Sequence, residues 1–338
     1  MILRPKSSPR HHSTLTGVAP LTQVSAVPTW IRRDIPNAQS LAGKDVEDVA
    51  LAAGAAIGAL DAVVRRKERW AGAWRQQQAL LAAAVTAKQA GRVEDESALR
   101  DALLLTKPGD DVGPAGRMLL AWRRLAARPA EELLTKKSLT CVREELGCAP
   151  DEEGVSDLVD DLRQLSADTG TVGMLTGVFI TAERHGFGRA LGAWLADALL
   201  AQRLGWVHAV PLFGAEAALG TSARSRRLAA ASVATSVGSD AERIKNLLAA
   251  QARAALRAVD LSAELGRRAD RLLAVSPKLR AKAADTVVDK LLSDDAIVAS
   301  EKIAGMSDRG LRRLFDRLVE LGAVRELSGR PTFRIYGL

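Results

Sequence analysis

The C-terminal fold is decided by the stretch Ser307-Asp308-Arg309-Gly310-Leu311-Arg312-Arg313-Leu314-Phe315-Asp316-Arg317-Leu318-Val319-Glu320-Leu321-Gly322. Its apolar residues recur at steps of three and four, which predicts an amphipathic helix. Ser307 and Asp308 are suited to cap the first turn, and Gly322 is suited to end the helix. The predicted buried face consists of Leu311, Leu314, Phe315, Leu318 and Leu321, and the opposite face carries Arg309, Arg312, Arg313 and Arg317.

The residues on either side of this helix complete a recognisable plan. Val287, Val288, Leu291 and Leu292 predict a core-facing helix upstream, and Ile297, Val298 and Ile303 predict a short second helix that ends at Gly305. Downstream, the spacing predicts a hairpin over Leu327–Arg330 that turns at Ser328-Gly329. Helix, tight turn, basic helix and two-stranded wing form the plan of the winged helix-turn-helix, which most often places a helix in the DNA major groove.

This plan predicts a set of DNA-binding residues. Arginine can grip a phosphate or read guanine with a bidentate fork, and a wing turn can reach phosphate or the minor groove. The predicted set is Ser307, Arg309, Arg312, Arg313, Arg317, Arg330 and Arg334. The alternative is a module that packs against protein, with these arginines solvated or paired with Asp308, Asp316 and Glu320.

Composition and charge agree with a helical protein that has a polyanionic partner. The 338 residues are 47% hydrophobic and only 4% aromatic, and the apolar content is dominated by Ala, Leu and Val. The formal net charge is +8, and it is unevenly placed. Residues 1–33, 267–290 and 305–338 carry net charges of +5, +4 and +3, whereas residues 141–168 carry −7. Positive charge therefore gathers towards both ends of the chain.

The pattern along the chain predicts an all-α protein made of a helical bundle and the C-terminal winged helix. Helical spacing begins at Asp45 and is interrupted by glycine and proline, with separate helices predicted at 240–256 and 259–273 and a loosely held segment at 214–240. Gly54 and Gly58 are predicted to let another helix approach closely. Ser276-Pro277 marks the start of the last domain. The predicted domains are a disordered basic tail at 1–44, a helical domain at 45–276 and the winged helix at 277–338.

The tail is also rich in Arg, Ser and Thr and free of acids up to residue 33, so a transit peptide is the alternative interpretation of it. Trp30 and Ile31 are suited to anchor its end onto the body. The longest weakly polar runs, such as Ala50–Leu60, are too short to cross a bilayer. We therefore expect no membrane association and a location in the cytoplasm.

Candidates for chemistry are few. Cys141 and Cys148, seven residues apart on a predicted helix, are too distant to form a disulfide, and no Cys and His pattern offers four zinc ligands. Carboxylates at 94–111 (Glu94, Asp95, Glu96, Asp101, Asp110 and Asp111) are interpreted as helix caps and as partners of Arg100 and Arg117. The His185–Arg189 loop lacks the flanking residues of a phosphate-binding loop. The sequence thus predicts no metal, no cofactor and no catalytic residue.

Several segments resemble a known family. These segments are Trp70–Arg75, Gly91–Ala102, Pro108–Gly116, Arg267–Lys282 and the closing stretch Leu314–Leu338. They resemble a bacterial family, domain of unknown function 1403, and the resemblance covers about residues 45–338. The resemblance implies a bacterial protein and carries over no catalytic residues. The C-terminal module is also similar to the winged helix that closes many Fic-type nucleotidyl transferases. Their loop needs a His-Pro-Phe start and a Gly-Asn-Gly-Arg end, whereas His185 is followed by Gly186-Phe187-Gly188-Arg189, so Fic-type chemistry is not expected.

The sequence therefore predicts a bacterial DNA-binding protein, a regulator or accessory factor, that acts through its winged helix. The alternative is a helical scaffold whose winged helix packs on itself or on a protein partner, including a second copy of the chain. An enzyme that uses the 94–111 carboxylates is the third and weakest hypothesis.

Overall fold

The helices follow the predicted periodicity closely. The computed structural model describes residues 27–34, 44–107, 109–149, 151–216, 236–279, 281, 283–330 and 332–338. Its helices are α1 (Thr29–Asp34), α2 (Val46–Arg65), α3 (Ala71–Gln89), α4 (Glu96–Leu104), α5 (Gly113–Ala127), α6 (Ala130–Leu133), α7 (Lys136–Glu145), α8 (Glu152–Asp168), α9 (Thr171–Arg184), α10 (Arg189–Arg203), α11 (Ser236–Val275), α12 (Ala284–Ser293) and α13 (Asp308–Glu320). The strands are β1 (Ile297–Val298), β2 (Arg325–Glu326) and β3 (Ile335–Gly337). The all-α prediction is confirmed, with one small sheet near the C-terminus.

Buried tryptophans tie the helical body together. Trp74, Trp122 and Trp194 are almost fully buried. Each indole N–H donates to another element: Trp74 to the Ala258 carbonyl at 3.0 Å, Trp122 to Thr86 Oγ1 at 2.9 Å and Trp194 to the Ala121 carbonyl at 2.9 Å. A buried ring of this kind contributes a large apolar area and still satisfies its one polar group. These three tryptophans therefore link different elements of the helical body.

Asp197 organises the loop that follows α10. It lies inside the core, and its carboxylate accepts hydrogen bonds from the backbone N–H groups of Leu212 at 2.8 Å and Phe213 at 3.1 Å. Burial raises the pKa of Asp197 to about 8, against the lowering effect of the N–H groups of Leu212, Phe213 and Gly214. The group caps a 3-10 turn, so its role is structural.

The region between residues 240 and 273 differs from the prediction. Instead of two helices, it forms part of the single helix α11, which packs along α2. Leu256, Arg257, Ala258 and Val259 include neither glycine nor proline, so nothing interrupts the hydrogen-bond ladder there. The predicted loose segment at 214–240 lies mostly outside the described residues.

Part of the predicted tail is helical. Residues 29–34 form α1, in which Ile31 is buried and Arg32 Nη1 donates to Asp260 Oδ2 on α11 at 2.9 Å. The anchor expected from Ile31 is therefore present, and disorder does not extend over these residues. Residues 1–26, on which the transit-peptide alternative depends, lie outside the described part of the chain.

The C-terminal segment contains a small antiparallel sheet. Its three antiparallel strands lie in the order β1-β3-β2, with Ile297 opposite Tyr336 and Glu326 also opposite Tyr336. Helix α13 lies between β1 and β2 in the chain. Strands β2 and β3 pair as a hairpin, but residues 327–334 connect them, a longer connection than the predicted turn at Ser328-Gly329. The central strand β3 is buried on both faces.

The second helix predicted around Ile297, Val298 and Ile303 does not form. Ile297 and Val298 form strand β1, and the chain then reaches α13 through turns at 299–300 and 304–305. The β-branched pair favours a strand, and the ladder continues when the Ala299 N–H donates to the Arg334 carbonyl at 2.8 Å. Leu321, predicted to be buried, is 37% exposed because α13 ends at Glu320.

Among the described residues, no helix combines the length and the apolarity needed to span a bilayer.

Candidate nucleic-acid interface

Helix α13 is held against the sheet by its apolar face. Leu311, Leu314, Phe315 and Leu318 are buried. The Phe315 ring stacks on Tyr336 of β3, with ring centroids 4.3 Å apart and planes 5° apart. Ser307 caps the helix, because its Oγ accepts from the Gly310 N–H at 3.2 Å. Ser307 is thus a structural cap in this structure, and the orientation of α13 is fixed by aromatic contact.

The opposite face of α13 is an exposed row of arginines. Arg309, Arg312 and Arg313 are all exposed. Within the described part of the chain, none of the three forms a salt bridge. Guanidinium groups in this state are solvated donors that keep their hydrogen-bonding capacity for a partner. The three residues form the strongest part of the predicted site, and we call them the arginine face.

The other predicted arginines are already engaged. Arg317 Nη1 lies 2.6 Å from Glu320 Oε2 on the same helix. Arg334 lies 3.7 Å from Asp316 and 3.8 Å from Glu326. These pairs are exposed, and exposed pairs of this kind contribute little stability. A phosphate can therefore compete for either arginine.

Arg330 makes a longer-range contact. Its Nη2 lies 2.6 Å from Asp101 Oδ2 on α4 of the helical body. The Asp101 side chain is only 17% exposed, while that of Arg330 is 53% exposed. The pair joins the wing hairpin to the body, so Arg330 is held towards α4 in this structure.

A buried charge cluster docks the C-terminal segment onto the body. Asp295, which precedes β1, is buried and accepts from Arg100 Nε on α4 at 3.1 Å. Its other carboxylate oxygen accepts from Arg123 of α5. Buried carboxylates of this kind are tolerated only when they are paired. The partner of Arg100 is therefore Asp295, and not the acids at 94–111 that the sequence suggested.

Two close backbone approaches fix the C-terminal segment, one against the body and one within its own sheet. A Cβ on Gly72 of α3 would lie 2.7 Å from the Ser293 carbonyl oxygen at the end of α12. A Cβ on Gly337 of β3 would lie 2.6 Å from the Asp295 carbonyl oxygen. Leu104 and Leu105 also pack against Val298 and Ile335 of the sheet. The sheet is thus held against the body, and the arginine face points away from it.

A groove of about 410 Å³ separates α13 from the wing. Arg312 and Asp316 line its helix side, and Arg334 and Tyr336 line its strand side. Phe333 stands at its edge, 67% exposed and with a backbone φ of 56°. The groove therefore combines two arginines, one acid and an exposed aromatic ring.

Several acids at 94–111 are caps or ion-pair partners, although their partners differ in part from those expected, since Arg100 pairs with Asp295. Asp95 caps α4 by accepting from the Ala98 N–H at 2.9 Å, and this hydrogen bond lowers the pKa of its carboxyl. Glu94 pairs with Arg92 at 2.5 Å, and Asp111 accepts from the Gly113 N–H at 3.0 Å. Across the described ranges, no group of three or more His, Cys, Asp and Glu side chains is arranged to hold a metal ion.

The remaining polar candidates are also accounted for by packing. His185 Nε2 lies 2.9 Å from Asp161 Oδ2, and its ring stacks on Phe187 at 6.0 Å. Cys141 lies on α7, but Cys148 lies beyond the end of that helix at Glu145, so the two do not share one helix as expected. Both cysteines are free thiols.

Sequence reasoning missed Phe333 and Asp295, and it did not predict the contact between Asp101 and Arg330. Strand alternation would place Phe333 on the same side as Ile335, inside the sheet. The positive φ of Phe333 breaks that alternation and turns the ring outward. Asp101 and Asp295 are distant from their partners in sequence, at separations of 229 and 195 residues from Arg330 and Arg100, so no local pattern signals them.

The fold and this surface define a mainly helical protein with a small C-terminal sheet and an exposed arginine-bearing helix. The chain belongs to the family described as "Protein of unknown function (DUF1403)", whose model matches residues 17–338. No curated protein and no solved structure matches the chain. The likeness of the C-terminal segment to the winged helix of Fic-type proteins therefore stays a prediction.

Proposed function

We propose that the protein binds double-stranded DNA through a C-terminal winged helix, with α13 as the recognition helix, and that it acts in the cytoplasm as a regulator or accessory factor. The observation that carries this proposal is the arginine face: Arg309, Arg312 and Arg313 are exposed and unpaired with any described acid. Unpaired arginines on a rigid helix are suited to phosphate contact and to bidentate reading of guanine.

The surrounding geometry supports the same function. Strand order β1-β3-β2, with α13 between β1 and β2 in the chain, is compatible with a winged helix, although turns replace the middle helix. Across the groove from α13 the wing carries Arg334, whereas Arg330 is held by Asp101 of α4. Residues 305–338 hold a net charge of +3, which favours encounter with a polyanion.

The helical body has a supporting role in this proposal. The sheet is held rigidly by the buried pair of Asp295, by the close approach at Gly72 and by the packing of Leu104 and Leu105. The arginine face is therefore presented at a fixed orientation. A preorganised surface loses little conformational entropy on binding. The body thus acts as a platform for the C-terminal segment.

A salt-titrated binding assay tests the proposal. Binding of fluorescent 30-base-pair duplexes is measured by anisotropy over a range of salt concentrations for the wild type and for the triple variant Arg309→Ala/Arg312→Ala/Arg313→Ala. If all three arginines contact phosphates, the slope of log affinity against log salt should fall by about 2.7, because each phosphate contact contributes about 0.9. We expect most of the low-salt affinity to be lost.

The matched control removes three positive charges from the helical body instead. Arg66, Lys136 and Lys137 are exposed, and their replacement by Ala changes the net charge by the same amount. This control variant should bind almost as the wild type does. An equal loss of DNA affinity in both variants would show that binding depends only on the overall charge of the protein. Unchanged DNA binding by the arginine-face variant would favour the protein-interaction alternative.

A further inference from the structure

The wing carries an exposed aromatic residue in an unfavourable backbone conformation. Phe333 is 67% exposed, the largest exposed fraction of any aromatic side chain in the described residues. Its φ of 56° lies in the left-handed region, where a bulky side chain is rare outside functional or strained positions. Neither feature stabilises the free protein. A glycine at this position would relieve the backbone strain, and a polar side chain would be better solvated than the exposed ring.

The ring stands where it can enter a partner bound to α13. It lies at the edge of the 410 Å³ groove whose other side is formed by Arg312 and Asp316 of the recognition helix. Tyr336 lines the groove and is fixed by its stack on Phe315, so the strand behind Phe333 is firmly held. The ring is therefore mounted on a rigid support.

Charge identifies the class of partner. Arg312 forms no salt bridge with any described acid, and Arg334 is 44% exposed, with acids no closer than 3.7 Å. Asp316 is the one acid that lines the groove. A groove lined by an apolar ring and two guanidinium groups matches a base stack flanked by phosphates, because arginine meets the phosphates and the ring meets the bases.

We propose that Phe333 is a wedge that inserts between base pairs at the minor groove and kinks the duplex, while α13 occupies the adjacent major groove. This inference rests on the proposed function. Apolar wedges of this type unstack one base step, and pyrimidine–purine steps unstack most readily. The protein should therefore prefer duplexes that carry a flexible TA step at the position of the wing.

The test uses full-length protein and 30-base-pair duplexes labelled at both ends for energy transfer, carrying either a central TA step or an uninterrupted A-tract. The wild type should shorten the end-to-end distance of the TA duplex and bind it about tenfold more tightly than the A-tract duplex, a ratio within the range of one base-stacking contact. Phe333→Ala should abolish the shortening and reduce the preference to within about twofold, while the salt slope stays unchanged.

Two further variants make the result specific to the wedge. Phe333→Leu keeps an apolar wedge and should retain part of the kink. Phe333→Gly removes the ring and relieves the positive φ, so it should raise the melting temperature while it abolishes the kink.

The outcomes separate this inference from the function beneath it. Suppose that Phe333→Ala bends the TA duplex and prefers it over the A-tract duplex as the wild type does, while the arginine-face variant loses DNA binding. The wedge proposal is then wrong, and the DNA-binding proposal stands. If the wild type binds neither duplex at low salt, both proposals fail. Binding by the wild type without any shortening of the TA duplex would also overturn the wedge.

Discussion

At the scale of single residues, contacts made by the C-terminal segment determine which of its arginines can meet a partner. The arginine face was predictable, because a strong apolar period on one side of α13 places the charged residues on the other. The engagement of Arg330 by Asp101 was not, because that contact depends on how the sheet docks onto α4. Phe333 was missed since its outward orientation comes from one backbone angle. Tertiary contacts therefore decided which predicted residues are free to bind a partner.

Asp197 gives a prediction about pH. Its pKa is raised to about 8 in the folded protein, well above the ordinary value of 3.8, mainly by burial. Between these two values the folded protein binds a proton that the unfolded chain has released, so the free energy of unfolding falls as pH rises. Above pH 6.5, the ordinary pKa of histidine, His208 adds little, since burial lowers its pKa. The contribution of Asp197 should reach about 1.4 kcal/mol per pH unit.

The variant Asp197→Asn tests that prediction, because an amide does not titrate. Denaturant unfolding between pH 6.5 and 8.5 should show a free energy that falls less steeply with pH in this variant than in the wild type. Asp95→Asn is the matched control, since the pKa of this exposed cap is lowered and it does not titrate in that window. Identical pH slopes for the wild type and Asp197→Asn would show that Asp197 stays ionised when folded.

At the scale of elements, glycine and proline residues predict the helix boundaries well. The spacing of glycines predicts the close approaches between helices poorly. Gly91 and Gly322 lie two residues after the ends of α3 and α13, α5 begins at Gly113, and all three glycines have positive φ. The single helix α11 was split wrongly at a place that has no breaker. Gly54 and Gly58 were expected to admit a neighbouring helix, yet a Cβ at either would meet no atom within 4 Å. Glycine spacing alone therefore does not identify a helix crossing.

The close approach is at Gly72 instead. A Cβ there would lie 2.7 Å from the Ser293 carbonyl oxygen and 2.8 Å from its Cα, both backbone atoms that cannot rotate away. Gly72→Ala should force α12 away from α3 and lower the free energy of unfolding by about 1–3 kcal/mol, the usual cost of overpacking. Gly58→Ala is the control. It has open space and should raise stability by about 0.5–1 kcal/mol, because alanine favours the helix. Urea unfolding measures both, and equal stability of Gly72→Ala and wild type would contradict the tight junction.

At the scale of the whole molecule, the acidic and basic stretches of the chain lie on elements that share one apolar core. The acidic stretch at 141–168 carries −7, and the C-terminal stretch at 305–338 carries +3. The core is continuous between the body and the C-terminal segment, with Leu80 and Phe315 in the same apolar cluster. The sequence predicts a domain boundary near residue 277, and the structure places a short 3-10 turn at Ser276–Lys278. The body and the C-terminal segment thus share their packing, so changes on the body can alter how the wing is presented.

The Asp101–Arg330 pair makes this coupling testable. Asp101 on the body holds Arg330 of the wing at 2.6 Å, so the carboxylate competes with any phosphate for that guanidinium. Asp101→Asn should release Arg330, raise the DNA affinity several-fold at low salt and increase the salt slope by about 0.9, the value of one added phosphate contact. Asp111→Asn is the matched control, because Asp111 is exposed, lies 3.9 Å from Arg117 and removes the same charge without touching the wing. The measurement is duplex anisotropy over a range of salt. If Asp101→Asn instead binds more weakly than Asp111→Asn, the pair orients the wing for binding and does not compete with DNA.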